Sequence, residues 1–369
     1  MLSTSVYKRR LSAVEDLILS KNADMAFVTP SPTFQYLTGL AYEMRERLVS
    51  LIIQPERDPI LVVPSFELSE ISQRTWIDDF LSWSEEKDPY RLISERLDMT
   101  NSETNILLDD STSLGIFWKL EKALGGFNST SSITPLIDKM RLRKSKDEIE
   151  LMKKSGRVIE DAIMIAFKGA KTGMTERQLK QIVMNEIIKH GADPTFAAVQ
   201  FGENSALPHA EPSNRELQEK DVVLLDCGCA IDGYNTDMTR VGVVGEPTEK
   251  QREVYDVVVK AQKTALDEIG PGLSCGSADG IARSVIESEG YGKYFTHRLG
   301  HGIGLQVHEA PYLVRGNSLK LAPGMTHSVE PGVYLPGEFG IRMEDLVHIT
   351  EDGVELLTFA PRDFVVIER

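Results

Sequence analysis

Two rhythms of apolar and polar residues divide this chain. Short apolar runs at 24–29 (DMAFVT), 48–54 (LVSLIIQ), 60–64 (ILVVP) and 105–108 (NILL) predict strands, and helical spacing predicts helices near 6–21, 66–73 and 90–97. The first third therefore reads as a small mixed α/β domain. It runs out in Gly125-Gly126-Phe127-Asn128-Ser129-Thr130-Ser131-Ser132, a glycine-rich and polar stretch typical of a connection, which places a domain boundary between 1–132 and 133–369.

Beyond that point the period is helical. Ser145 and Glu148 are spaced as a capping box ahead of apolar Ile149, Met152, Ile159 and Ile163. Thr175 and Gln178 repeat the spacing before Leu179, Ile182, Val183 and Ile187, and Gly191 stands where that helix should stop. A third helix follows Pro247-Thr248 and ends at Gly270-Pro271-Gly272, and a fourth covers 277–289. Between them, Val222 to Arg240 reads as two strands joined by Asp232-Gly233, the signal of a two-residue type I′ hairpin. In that register Ile231 faces Tyr234, Gly228 faces Asp237 and Asp226 faces Thr239.

At 369 residues, 41% apolar and 26% charged, the chain has ample material for two cores and is far from a disordered composition. A net charge of -15 leaves little room for a face that binds nucleic acid or an anionic membrane. Charged residues interrupt the first 22 positions, so no signal-peptide core is expected there, and no apolar run nears the ~18 residues of a membrane span. The expected location is the cytoplasm, which three cysteines without a disulfide pattern also fit. Cys227 and Cys229 flank the face of Asp226 rather than share it, which favours buried thiols over a soft-metal site.

The register brings Asp226 and Asp237 together as diagonal neighbours on one face of the hairpin. Two carboxylates there repel unless something positive lies between them, so a divalent cation is one explanation, and a loop-capping Asp226 is the other. Further on, His301 and His308 lie seven apart around glycines, and Glu330 and Glu344 each sit in apolar, strand-like surroundings. Four carboxylates and one imidazole suit a pair of divalent ions such as Mn, Co or Zn, with no thiolate required.

Asp226 and Asp237 eleven apart, His301 in GHGIG, Glu330 in VEPGVY and Glu344 in IRMED resemble the five-ligand signature of the pita-bread metallopeptidases (M24), which include methionine aminopeptidase, aminopeptidase P, prolidase and creatinase. The resemblance covers about residues 133–369. FGENSALPHAEPS with His209, and LRKSKDEIELMKKSG, are similar to the proline-peptidase branch. TPSPTFQYLTGL near residue 30 resembles the N-terminal domain that prolidase, aminopeptidase P and creatinase carry and methionine aminopeptidases usually lack.

The resemblance implies an α/β (α+β) chain with a creatinase-like domain at 1–132 and a pita-bread catalytic domain at 133–369. By it, Asp226 would chelate one ion, Asp237 and Glu344 would bridge two, and His301 and Glu330 would hold the second. A water between the ions would be the nucleophile, Glu330 the general base and His308 the oxyanion partner, with His209 and His297 lining the site. Arg342 would orient a carboxylate or meet a substrate charge, and Tyr312 lies near the position of a family tyrosine. The implied activity is hydrolysis of Xaa-Pro bonds in proline-containing peptides, with prolidase ahead of aminopeptidase P, and the implied assembly is a homodimer. A binding protein that keeps metal for structure alone is a third reading, against which His209, His297 and His308 count. His190, His327 and His348 match no motif and read as structural or exposed.

Overall fold

The structure is a computed structural model that describes residues 2–99, 104–208 and 210–368. The chain divides into two compact units, Met1–Arg141 and Leu142–Arg369. In the first, strands β1 (Met25–Val28), β2 (Ser50–Ile53), β3 (Ile60–Pro64), β4 (Asp79–Trp83), β5 (Asn105–Leu108) and β6 (Ser129–Ser132) form one sheet in the order β4-β3-β2-β1-β5-β6. Strands β1, β2 and β3 are buried throughout, which is why they read as unbroken apolar runs rather than alternating ones.

The differences from expectation in this unit have local causes. Ser129–Ser132, expected as part of a connection, is an edge strand parallel to β5 whose four side chains are all exposed, so no apolar pattern marks it. The helix Pro32–Thr38 was not expected. It opens on the Ser31 side chain, which accepts from the Phe34 N–H, has proline in its first turn, and stops at Gly39 in the left-handed region. The helix expected over 66–73 is a single turn, Leu68–Ile71.

In the second unit both expected capping boxes form. Ser145 starts the helix Lys146–Gly169, Thr175 starts the helix Glu176–Lys189, and Thr248 adds a third box to the helix Glu249–Glu268. The strands are β7 (Asp193–Phe201), β8 (Val222–Ile231), β9 (Tyr234–Val244), β10 (Gly300–Gly302), β11 (Glu309–Leu313), β12 (Thr326–Val329), β13 (Gly332–Leu335), β14 (Phe339–Arg342), β15 (Asp345–Ile349), β16 (Val354–Leu356) and β17 (Val365–Ile367). They make a four-stranded sheet β17-β9-β8-β7, a five-stranded sheet β11-β10-β12-β15-β16 and the β13-β14 hairpin.

The β8-β9 hairpin has the expected register: Ile231 faces Tyr234, Gly228 faces Asp237 and Asp226 faces Thr239. Asp232 and Gly233 both take positive φ, 50° and 81°, as a type I′ turn requires. Alternation along β8 then sorts the unit into two cores. Val222 and Leu224 pack with the helices Glu249–Glu268 and Cys275–Ser288, while Val223, Leu225, Cys227 and Cys229 pack with the helices Lys146–Gly169 and Glu176–Lys189. All three cysteines are free and buried. No described helix is long and apolar enough to cross a membrane.

One buried cation braces this arrangement. Arg240, 1% exposed, pairs with Asp345 at 2.6 Å and donates to the carbonyls of Thr239, Glu344, Ala360 and Pro361, tying β9, β15 and the chain ahead of β17 together. A fully buried arginine is tolerable because so many of its donors are satisfied.

Close packing also decides the sign of two glycine substitutions. A Cβ at Gly156, inside the helix Lys146–Gly169, would stand 2.3 Å from the Leu357 carbonyl oxygen, whereas a Cβ at Gly280, inside Cys275–Ser288, would meet nothing within 4 Å. Gly156→Ala should therefore destabilise by about 1–3 kcal/mol despite the helix preference of alanine, and Gly280→Ala should stabilise by up to ~1 kcal/mol. Urea unfolding midpoints that shift in the same direction for both variants would contradict this packing.

Candidate active site

A cleft of about 790 Å³ in the second unit is lined by Asp226, Asp237, His301, Glu330 and Glu344 among others. Asp226 and Asp237 come from the shared face of β8 and β9, and His301 from β10. Glu330 follows β12, its N–H donating to the Leu299 carbonyl, and Glu344 lies between β14 and β15, its N–H donating to the Thr239 carbonyl. One ligand atom each of Asp237, His301 and Glu344 lies within 4.8 Å of the others, so these three can hold one ion directly. Glu330 adjoins them, its Oε1 3.3 Å from His301 Nε2, which is itself 3.8 Å from Asp237 Oδ2. Asp226 completes the group from the side of Arg342, which pairs with its Oδ2.

Asp226 Oδ1, Asp237 Oδ1 and Glu344 Oε1 are buried with no hydrogen-bond partner among the described residues. Burial, reinforced by Glu344 and Asp226, holds the Asp237 carboxyl well above its usual range. Burial with Glu330 and Asp226 does the same to Glu344, and burial pushes Glu330 up to about 7. His301 moves the other way, to about 3, through burial and the neighbouring His308. Its Nδ1 lies 3.1 Å from the Gly302 carbonyl and so carries the proton, which leaves the Nε2 lone pair facing the carboxylates. Unsatisfied carboxylate oxygens around a neutral imidazole are a donor set that fits a divalent cation.

The surrounding polar groups form a supporting frame. Thr239 donates to Glu344 Oε2 at 2.7 Å and Ser328 to Glu330 Oε1 at 3.0 Å. The Arg342 guanidinium donates to Asp226, Thr239 Oγ1 and the Tyr334 hydroxyl, so it is hydrogen-bonded to Glu344 only by way of Thr239, while its charge bears on Glu344 directly. His297 Nδ1 meets the Arg298 carbonyl at 2.7 Å, and its Nε2 meets the Tyr334 hydroxyl at 2.8 Å. These partners assign the proton to Nδ1 and make Tyr334, which accepts from Arg342, the donor to Nε2. His308 packs edge-on to His301, ring centres 4.1 Å apart, and lines the cleft.

Tyr312, 37% exposed, faces His301 across β10-β11 and stacks under Arg298. His209 lies outside the described residues. His190 is exposed at a helix end, His327 is buried in β12 and His348 pairs with Glu355, so none of the three lines the cleft. Sequence reasoning missed Thr239, Ser328, Tyr334 and Arg298. Thr239 and Ser328 were within reach, since each stands two residues from a carboxylate of the site in a strand-like stretch, but nothing local marks Tyr334 or Arg298.

Metal uptake should be coupled to protons. Asp237, Glu330 and Glu344 hold protons at higher pH than free carboxyls, and an ion displaces them, while neutral His301 has none to lose at its Nε2. Apparent affinity should therefore rise as pH climbs from about 4.5 toward the folded value near 7 for Glu330. Calorimetry of divalent-ion binding to chelator-stripped protein at pH 6.5, in buffers of different ionisation enthalpy, should report net proton release. A heat independent of buffer would show that these carboxyls are already ionised.

Comparison with known proteins extends the picture to the whole chain. Residues 150–351 match the model of metallopeptidase family M24, and residues 10–143 match that of the creatinase/prolidase N-terminal domain. The chain is 33% identical to the Xaa-Pro dipeptidase of Lactobacillus helveticus over 97% of its own length and 98% of that protein's. The crystal structure of a prolidase from Thermococcus sibiricus superposes with a TM-score of 0.90 at 34% identity, covering 98% of this chain and 99% of the other. The X-Pro aminopeptidase of Thermotoga maritima gives 0.87 at 30%, covering 97% and 99%. With a family match over more than half its residues and likeness of this extent, laid over a buried carboxylate–histidine cluster, the chain belongs to metallopeptidase family M24 and carries a creatinase/prolidase-type N-terminal domain.

Proposed function

We propose that this protein is an Xaa-Pro dipeptidase, a metal-dependent hydrolase of dipeptides with proline in second position. The observation that carries the reading is the Asp237–His301–Glu344 cluster, with unsatisfied carboxylate oxygens, in a cleft walled by His297 and His308. Near-full-length relatives named Xaa-Pro dipeptidase and prolidase supply the substrate class. Catalysis is assigned to residues 133–369. The proposed cofactor is a pair of divalent ions, Mn, Co or Zn, held by Asp226, Asp237, His301, Glu330 and Glu344. A homodimer in the cytoplasm completes the reading, and three free thiols fit a reducing compartment.

A divalent cation supplies positive charge that makes a water acidic near neutral pH and polarises a peptide carbonyl. The chain's own groups do the rest. Glu330, steadied by Ser328, takes a proton from the attacking water and returns it to the proline nitrogen as that nitrogen leaves. His308 donates to the oxyanion as the carbonyl becomes tetrahedral. His297 has both ring nitrogens engaged within the protein, so it acts as a wall for the pyrrolidine ring rather than as a proton carrier. Arg342 spends its nitrogens on Asp226, Thr239 and Tyr334 and orients ligands rather than substrate. His209 is assigned to the same wall on the motif alone.

A second reading, an Xaa-Pro aminopeptidase acting on longer peptides, is favoured by the Thermotoga maritima likeness. The same metal chemistry serves both, and they differ in the space beyond the proline. An ordinary residue in place of proline brings an N–H donor without a partner, a cost of roughly 1–3 kcal/mol. Ala-Pro should therefore be cleaved at least about tenfold faster than Ala-Ala and faster than Ala-Pro-Ala by the metal-loaded enzyme. Preference for the tripeptide would move the assignment to the aminopeptidase, and equal kcat/KM for Ala-Pro and Ala-Ala would remove the proline specificity.

His308→Ala separates transition-state help from metal binding. The variant should keep the metal content of the parent while kcat falls by roughly 100-fold or more, the usual loss for an oxyanion donor. If elemental analysis finds it stripped of metal, His308 is a ligand and the proposed division between the two histidines is wrong.

A further inference from the structure

The wall of the cleft that carries His297 is irregular backbone. Between the turn Gly292–Tyr294 and β10, residues 295–299 belong to no helix or strand, so most of their N–H and C=O groups need partners other than a ladder. An ion pair on the helix Cys275–Ser288 supplies them. Asp279 and Arg283, one turn apart, meet as a fork, Nε to Oδ2 at 2.8 Å and Nη2 to Oδ1 at 2.9 Å.

The same two side chains grip alternate residues of the wall. Arg283 donates to the Phe295 carbonyl at 3.0 Å and to the His297 carbonyl at 2.8 Å, and its guanidinium carbon lies 4.2 Å from the centre of the Phe295 ring. Asp279 Oδ1 accepts from the Leu299 N–H at 3.0 Å, a donor it shares with the Leu313 carbonyl. Asp279 is fully buried. Desolvation offsets most of the attraction in such a pair, and an exposed pair at the same spacing would serve the helix as well. What the buried pair adds is a fixed main chain at 295, 297 and 299.

His297 is thereby held at both ends. Its carbonyl rests on Arg283, its ring nitrogens meet the Arg298 carbonyl and the Tyr334 hydroxyl, and its ring stands edge-on to Phe295 with centres 5.2 Å apart. A wall that recognises a pyrrolidine ring by shape works only while it stays in place. We propose that Asp279 and Arg283 are positioning residues for proline selectivity: they fix the backbone of 295–299, and so the His297 ring, without touching substrate or metal. The inference rests on the Xaa-Pro reading above and deepens it by naming what sets the sharpness of the proline preference.

The test is steady-state kinetics of the metal-loaded parent, Arg283→Lys, Arg283→Met, His297→Ala and the double variant Arg283→Lys/His297→Ala on Ala-Pro and Ala-Ala, with metal content and urea unfolding measured alongside. Lysine keeps a positive charge beside Asp279, which preserves the fold, but a single ammonium cannot reproduce a fork that reaches a carboxylate and two carbonyls at once. Arg283→Lys should lower the ratio of kcat/KM for Ala-Pro over Ala-Ala by roughly threefold or more, through a higher KM for Ala-Pro, with metal content unchanged. In the His297→Ala background the same change should leave the ratio where His297→Ala put it, since the wall it positions is gone. Gly156→Ala, which loosens the same unit away from the cleft, should keep the parental ratio.

Parental selectivity in Arg283→Lys and Arg283→Met overturns the proposal. So does a further loss in the double variant as large as in Arg283→Lys alone, because the pair would then act other than through His297. An equal loss in Gly156→Ala overturns it too, since lowered stability by itself would blunt the preference. If the parent shows no preference for Ala-Pro, the Xaa-Pro reading itself falls, and this inference with it.

Discussion

Mutual repulsion among buried carboxylates is the constraint around which the second unit is built. Asp226, Asp237, Glu330 and Glu344 converge on one cleft, and burial together with the neighbouring carboxylates raises the proton affinity of Asp237, Glu330 and Glu344. Bare ionised carboxylates in such surroundings would cost far more than the marginal stability of a folded domain. A divalent cation would offset this repulsion at the oxygens that the described residues leave without donors, Asp226 Oδ1, Asp237 Oδ1 and Glu344 Oε1. Thr239, Ser328 and Arg342 donate to Glu344, Glu330 and Asp226 respectively, which fixes the orientation of each carboxylate and, at Glu344 and Asp226, leaves the other oxygen without a donor among the described residues.

The two-core arrangement follows from the same need. A carboxylate on a strand can face a cleft only if its neighbours in sequence are content to be buried on the other side, and Cys227 and Met238 do this against the helices Lys146–Gly169 and Glu176–Lys189. Arg240 does a related job out of the cleft. By donating to the Thr239 and Glu344 carbonyls it fixes the backbone of two residues whose side chains bond to each other at the site. Among the described residues the Arg240 guanidinium is compensated by backbone carbonyls and by Asp345, whereas Asp226 Oδ1, Asp237 Oδ1 and Glu344 Oε1 are buried without a hydrogen-bond partner.

Histidine chemistry is divided by hydrogen bonding rather than by residue type. His301 is kept neutral by burial and points a lone pair at the carboxylates, whereas His297 is closed off by Tyr334 and a carbonyl. The chain Arg342–Tyr334–His297 joins the Asp226 side of the site to the wall of the cleft. A change in ligand orientation and a change in pocket shape are therefore mechanically linked.

What the sequence determined by itself was local or strictly periodic. Capping boxes at Ser145 and Thr175 satisfy nearby N–H groups, and Asp232-Gly233 dictates a turn and with it the register that pairs Asp226 with Thr239. The five metal-binding candidates were legible because a carboxylate or imidazole inside an apolar or glycine-rich strand is costly and therefore conspicuous. Tertiary structure alone decided what depends on distant partners. The exposed strand Ser129–Ser132 exists because β5 offers it an edge, the closure of His297 Nε2 depends on Tyr334, and the placement of the Arg298 guanidinium depends on the Tyr312 ring. Periodicity records which side of a strand or helix is buried; it carries no record of which side chain, a hundred residues away, completes or leaves open a hydrogen bond.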